Sequence, residues 1–140
     1  NEDSIFYARR DVRSITNLGD VSYAFNSKLS INLRARHYWS SVTNHDYYTL
    51  EKDGSLKLAP TYPENHDYNF NVFNIDMVMR WVFAPGSEMT VGWKNAISLF
   101  EDNTNNHYYK NLKNTLNSPQ TNTFSIRILY YIDYNTLFNT

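Results

Sequence analysis

The chain has 140 residues, enough for one domain with a sizeable core, and a formal net charge of −1. The absence of cysteine excludes a disulfide framework and a thiolate metal site, and the near-neutral charge gives no electrostatic footing for nucleic acid. Mean hydropathy is −0.60, yet aromatics reach 16% with 12 Tyr and 3 Trp, and no apolar run approaches the roughly 20 residues of a membrane helix.

In chain order, Ala8 to Asn26 reads as one long strand. Val21, Tyr23 and Phe25 alternate there with Ser22, Ala24 and Asn26. Arg9, Arg10, Asp11 and Arg13 are too charged to face lipid. Asn17-Leu18-Gly19-Asp20 is either a bulge within this strand or a tight turn, and continuity is favoured. Asn26-Ser27-Lys28 is a short reversal. A second strand, Leu29 to Trp39, sets Leu29, Ile31, Leu33, Ala35, His37 and Trp39 against Ser30, Asn32, Arg34, Arg36 and Tyr38. Two arginines opposite an apolar face would be expensive in a core and natural in a water-filled lumen.

Residues 40–67 lack sustained alternation and read as a long loop. Within it, Lys52-Asp53-Gly54 separates Tyr47–Leu50 from Ser55–Leu58, the chemistry of a small hairpin. Residues 70–83 carry the clearest signal in the chain. Phe73, Ile75, Met77, Met79, Trp81 and Phe83 share one parity, and Asn74, Asp76, Val78, Arg80 and Val82 the other. Ala84-Pro85-Gly86-Ser87 then supplies a tight turn. Glu88 to Phe100 is the fourth strand, with Met89, Val91, Trp93, Ile97 and Leu99 on one side and Asn95 the polar exception among them. Residues 101–121 form a second long polar loop in which Tyr108–Leu112 could make a helical turn. Asn122 to Tyr134 is the final strand.

Connections therefore alternate between short and long, as in outer-membrane barrels with short periplasmic turns and longer extracellular loops. The expected fold class is all-β: an antiparallel transmembrane β-barrel portion of about five long strands, spanning residues 1–140 as one domain. Five strands cannot close a barrel, whose smallest single-chain examples have about eight, and open edges are prohibitive in hydrocarbon. The expectation is the C-terminal part of a larger barrel, completed by N-terminal strands of the same parent protein or by other chains. A start at Asn1 without a visible signal peptide agrees with an excerpt of a longer polypeptide. A soluble carbohydrate-binding sandwich would show the same alternation, with a second protein layer in place of lipid.

The segments Arg34-Ala-Arg-His-Tyr-Trp39, Phe73-Asn-Ile-Asp-Met77, Arg80-Trp-Val-Phe-Ala-Pro-Gly-Ser-Glu88 and Trp93-Lys-Asn95, with Ser125–Tyr134, carry a family likeness. The chain resembles the C-terminal barrel domain of Gram-negative surface proteins that carry an N-terminal family-9 carbohydrate-binding module. The likeness covers most of the chain, and the Phe-Ala-Pro-Gly-Ser-Glu turn is its most specific element. It implies an outer-membrane location and a carbohydrate-linked role for the whole protein, while the alternation of connections places the long loops outside the cell and the C-terminus on the periplasmic side. It supplies no catalytic residues.

Two residue sets follow from the strand parities. Arg34, Arg36, Asp76, Arg80, Lys94, Arg127 and Asp133 are expected to face a lumen, where their mixed signs favour ion pairing over a selective pore. Tyr23, Trp39, Trp81, Phe83, Trp93, Tyr130 and Tyr134 are candidate membrane-interface aromatics, with core packing as the competing role. His45-Asp46 and His66-Asp67 share a loop but match no zinc spacing, so no metal or cofactor is expected. Loop tyrosines and asparagines could grip a sugar or simply pack together. Glu51, Asp53, Glu64 and Asp67 could serve glycoside chemistry only if they converge, and no nucleophile-elbow motif is present.

The functional expectation is a non-enzymatic membrane-spanning segment, an anchor or passage for a surface carbohydrate-handling protein. Its partners would be outer-membrane lipid and the completing strands, with a surface glycan or an envelope complex as further candidates. The alternatives are a soluble carbohydrate-binding module and a structural barrel subunit of a multi-protein envelope complex.

Overall fold

The computed structural model describes residues 5–62, 64–102 and 107–133. Strands β1 (Phe6–Asn26), β2 (Leu29–Leu50), β3 (Leu56–Leu58), β4 (Tyr68–Ala84), β5 (Ser87–Glu101) and β6 (Gln120–Leu129) form one sheet, with a single helix α1 (Tyr108–Leu116) between β5 and β6. The sheet order is β1-β2-β4-β5-β6, with β3 paired to β2. Among the described residues the sheet does not close, and β1 and β6 are its edges.

Neighbouring strands are antiparallel, and the cross-strand contacts show the reason in their numbering. Asp11 meets His45 and Asp20 meets Arg34, so partner numbers fall on β2 as they rise on β1. Tyr38 lies against Phe70 and His37 against Phe73. Tyr68 stacks on Phe100 while Asp76 pairs with Lys94. Between β5 and β6 the register runs from Glu88 opposite Leu129 to Ile97 opposite Gln120.

Strand β1 is continuous through Asn17-Leu18-Gly19-Asp20, as the favoured sequence reading has it. The Asn26 side chain builds the first reversal: its Oδ1 accepts the Lys28 and Leu29 N–H groups at 2.8 and 2.9 Å. The second short turn rests on Pro85 and on Gly86 at φ +71°, the positive φ a type II turn needs at its third position. The hairpin at Lys52-Asp53-Gly54 is present, with Tyr48 opposite Leu58 and Leu50 opposite Leu56.

Three boundaries differ from the sequence reading by more than two residues. Strand β2 does not stop at Trp39 but continues to Leu50. Its pattern fails there because Ser41 and Val42, on opposite faces, are both buried. The loop at 101–121 contains the nine-residue helix α1, longer than one turn. Strand β6 ends at Leu129, short of the expected Tyr134. Its ladder has run out of partner, since β5 begins at Ser87, and the Tyr131 N–H donates to Ser87 Oγ at 2.9 Å instead. Tyr134 lies outside the described residues.

The described residues fall into two compact units. The first contains chain up to Thr16, Tyr38–Val72 and Ser98–Ser118; the second contains Asn17–His37, Phe73–Ile97 and chain from Pro119 onward. In the first unit α1 lies over the odd-numbered face of the sheet. Its fully buried Asn111 exchanges amide hydrogen bonds with fully buried Asn71, at 3.0 and 2.7 Å. Trp39 lies beside Tyr108 of α1 and donates Nε1–H to Asn69 Oδ1. This small core is held by paired polar groups more than by apolar bulk, although the buried Ser41 Oγ has no hydrogen-bond partner among the described residues. The second unit contains strands and turns only, with no second layer among its described residues.

Candidate functional site

The second unit has two chemically opposed faces. Because side chains alternate, Asp20, Arg34, Asp76 and Lys94 share a face, and the β5–β6 register places Arg127, opposite Thr90, on that same side. These residues line a depression of ≈ 720 Å³ with Asn32, Thr90, Gly92 and Ser125. Arg34 Nε bonds Asp20 Oδ1 at 2.6 Å, and Lys94 Nζ lies 3.7 Å from Asp76 Oδ1. Arg80 pairs with Glu88 across the β4–β5 turn. The first two pairs are substantially exposed, so each adds little to stability and is screened by salt, whereas Glu88 of the third is half-buried.

The expected lumen-facing residues thus separate into groups. Arg34, Asp76, Lys94 and Arg127 meet in the depression, and Arg80 is paired nearby with Glu88. Arg36 has no carboxylate within ion-pair distance among the described residues. Asp133 lies beyond the end of β6, where strand parity no longer assigns a face. The sequence reading did not include Asp20 or Glu88 in this set. Their signal was position: each sits at the strand register that faces a cation.

Away from the buried His37, Asn95 and Ile97, the opposite face is apolar, and it is bare along the edge strands. Phe124, Ile126 and Ile128 of β6 are 71%, 68% and 64% exposed, and Val21, Tyr23 and Phe25 of β1 are similarly bare. Trp81 packs beside Phe83, Phe83 stacks on Tyr130 at 6.2 Å, and Trp93 stacks on Phe124 while donating to Asn122 Oδ1. Of the candidate interface aromatics, Tyr23, Trp81 and Tyr130 are exposed here, whereas Trp39 is 4% exposed within the first unit.

In the first unit His66 and Asp67 border a depression of ≈ 580 Å³ with Arg10, Asn44 and Asp102, and the neighbouring titratable side chains are drawn to separate partners. His45 Nε2 contacts Asp11 at 2.9 Å, Asp46 pairs with Arg9, and Asp67 accepts from the Asn44 backbone and side chain. His66 contacts Tyr62 and Glu64. The histidine–aspartate pairs are thereby directed to separate partners, and no group of three potential metal ligands occurs among the described residues. Phe6, Tyr47, Tyr62 and His66 pack ring against ring, as self-packing loops do. The His45 contact lowers the Asp11 carboxyl from its ordinary range, and the Ser55 hydroxyl, followed by its backbone N–H, lowers Asp53. Desolvation, reinforced by Glu64, raises the Tyr62 phenol.

Nothing among the curated proteins or the solved structures matches the chain. A family model described as a domain of unknown function, DUF5916, matches residues 1–140 in full, and the chain belongs to that family.

Proposed function

We propose that the chain is a non-enzymatic membrane-spanning segment of a Gram-negative outer-membrane β-barrel, an anchor or passage for a surface protein that handles carbohydrate. The observation that carries this reading is the two-faced second unit. Its apolar face offers Val21, Tyr23, Phe25, Phe124, Ile126, Ile128 and Tyr130 to the surroundings, while its other face holds cross-strand ion pairs. Covering a large apolar side chain is worth about 1.5–3 kcal/mol, so this set left in water would cost on the order of 10 kcal/mol. Acyl chains remove that cost without a second protein layer. The charged face would then border water, where exposed arginines are inexpensive.

The carbohydrate link rests on the family resemblance of the turn at Phe83–Glu88 and its companion segments. The first unit, with charge on both parities of β1 and a polar helix interface, would lie outside the hydrocarbon.

Cell fractionation of the full-length protein tests the reading. It should sediment with outer membranes, require detergent for extraction and migrate faster unheated than boiled. A protein that stays soluble and monomeric in plain buffer would instead be a carbohydrate-binding module. Stoichiometric co-purification with other proteins through detergent washes would indicate a subunit of an envelope complex.

A further inference from the structure

We infer that the free edge of β6 is completed by an oppositely directed strand of the same full-length polypeptide, lying outside residues 1–140 and carrying a carboxylate opposite Arg127, and that copies of this chain cannot close the sheet on one another. The inference rests on the barrel reading and specifies the partner that reading needs.

The sheet order β1-β2-β4-β5-β6 contains four antiparallel steps, so β1 and β6 point the same way. Joining β6 to β1, in one copy or between two, would create a parallel pair. Bacterial single-chain barrels are antiparallel with an even strand count. Five sheet-order strands therefore require an odd number of added strands, and the strand beside each edge must run against it. Any number of copies joined β6 to β1 fails this condition at every junction.

Three cations line the depression on the polar face, and two are matched across a strand boundary: Arg34 with Asp20 on β1, and Lys94 with Asp76 on β4. The third, Arg127, has no carboxylate partner among the described residues. Its β5 neighbour is Thr90, which offers only a hydroxyl. Arg36 also lacks a carboxylate, but it stands on β2 with strands on both sides. Arg127 alone of the three stands on an edge strand, with its second side open. The cross-strand pairing already used twice on this face predicts an acidic residue there.

The β6 backbone supports the same conclusion. All ten residues of β6 are exposed, and its outward N–H and C=O groups have no ladder on that side among the described residues. In hydrocarbon such an edge costs several kcal/mol per unmatched group.

The test places a photo-crosslinking amino acid at Thr123, Ser125 or Arg127 in turn in the full-length protein, folded in outer membranes, with linked peptides identified by mass spectrometry. Besides links to β5, each position should give a link within the same polypeptide to one segment outside residues 1–140. The linked residue should move toward that segment's N-terminus as the label moves from 123 to 127. An Asp or Glu should lie opposite Arg127. Arg127→Glu should lower the temperature at which the fast-migrating folded band is lost, and changing the linked acid to Lys should restore it.

Links to residues 6–26, a crosslinked dimer, a rising register, or links to β5 alone would each overturn the inference. The same variants are checked for detergent dependence and heat-modifiable migration. Failure there rejects the membrane reading, while correct insertion with the wrong crosslinks rejects the partner alone.

Discussion

Asn71 and Asn111 show how single residues hold α1 to the sheet. Each amide donates to the other with no exposure to water, so removing one strands its partner. Asn71→Ala should cost about 1–3 kcal/mol, seen as faster hydrogen exchange across residues 108–116. The Asn71→Ala/Asn111→Ala double variant should cost less than the sum of the singles, since it leaves no orphaned amide. Asp53 makes a pH prediction at the same scale. Its folded-state value is lowered by Ser55, so its contribution is complete above the unfolded value of about 3.9 and fades as pH falls through the folded one. Amide exchange at Gly54 and Ser55 should therefore accelerate, relative to its intrinsic rate, on acidification through that window. Asp53→Asn should remove that dependence.

Among elements, the β4–β5 turn is the most constrained. Gly86 holds φ +71°, and an added Cβ would lie 2.9 Å from Tyr131 Cβ. Gly86→Ala should destabilise by about 1–2 kcal/mol for the left-handed backbone alone, with a further cost for displacing Tyr131. The expected readout is a lower temperature for loss of the folded band. This turn was legible because Pro-Gly between two alternating runs leaves few conformations open. The long central strand β4 was legible for a related reason: a period of two over Phe73–Phe83 has no helical equivalent. The second half of β2 was hidden because burial on both faces erases alternation, leaving Ser40-Ser41-Val42-Thr43 without a pattern. Helix α1 was visible only as one turn because its buried side chains are Asn111 and Thr115 rather than an apolar stripe. The polar face of the second unit could be read from parity alone. Which cation met which carboxylate could not, because that depends on register between strands distant in sequence.

At the scale of the whole molecule, the account turns on what covers the apolar face of the second unit. Spin labels introduced one at a time at positions 123–128 of β6 in the full-length protein, reconstituted in lipid bilayers, address this directly. Collision rates with oxygen, which concentrates in acyl chains, are compared with those of a water-soluble nickel complex. The account predicts a period of two: Phe124, Ile126 and Ile128 favour oxygen, while Thr123, Ser125 and Arg127 favour nickel. Loss of that alternation, or low collision with both reagents at Phe124, Ile126 and Ile128, would mean protein rather than lipid covers this face and would contradict the account.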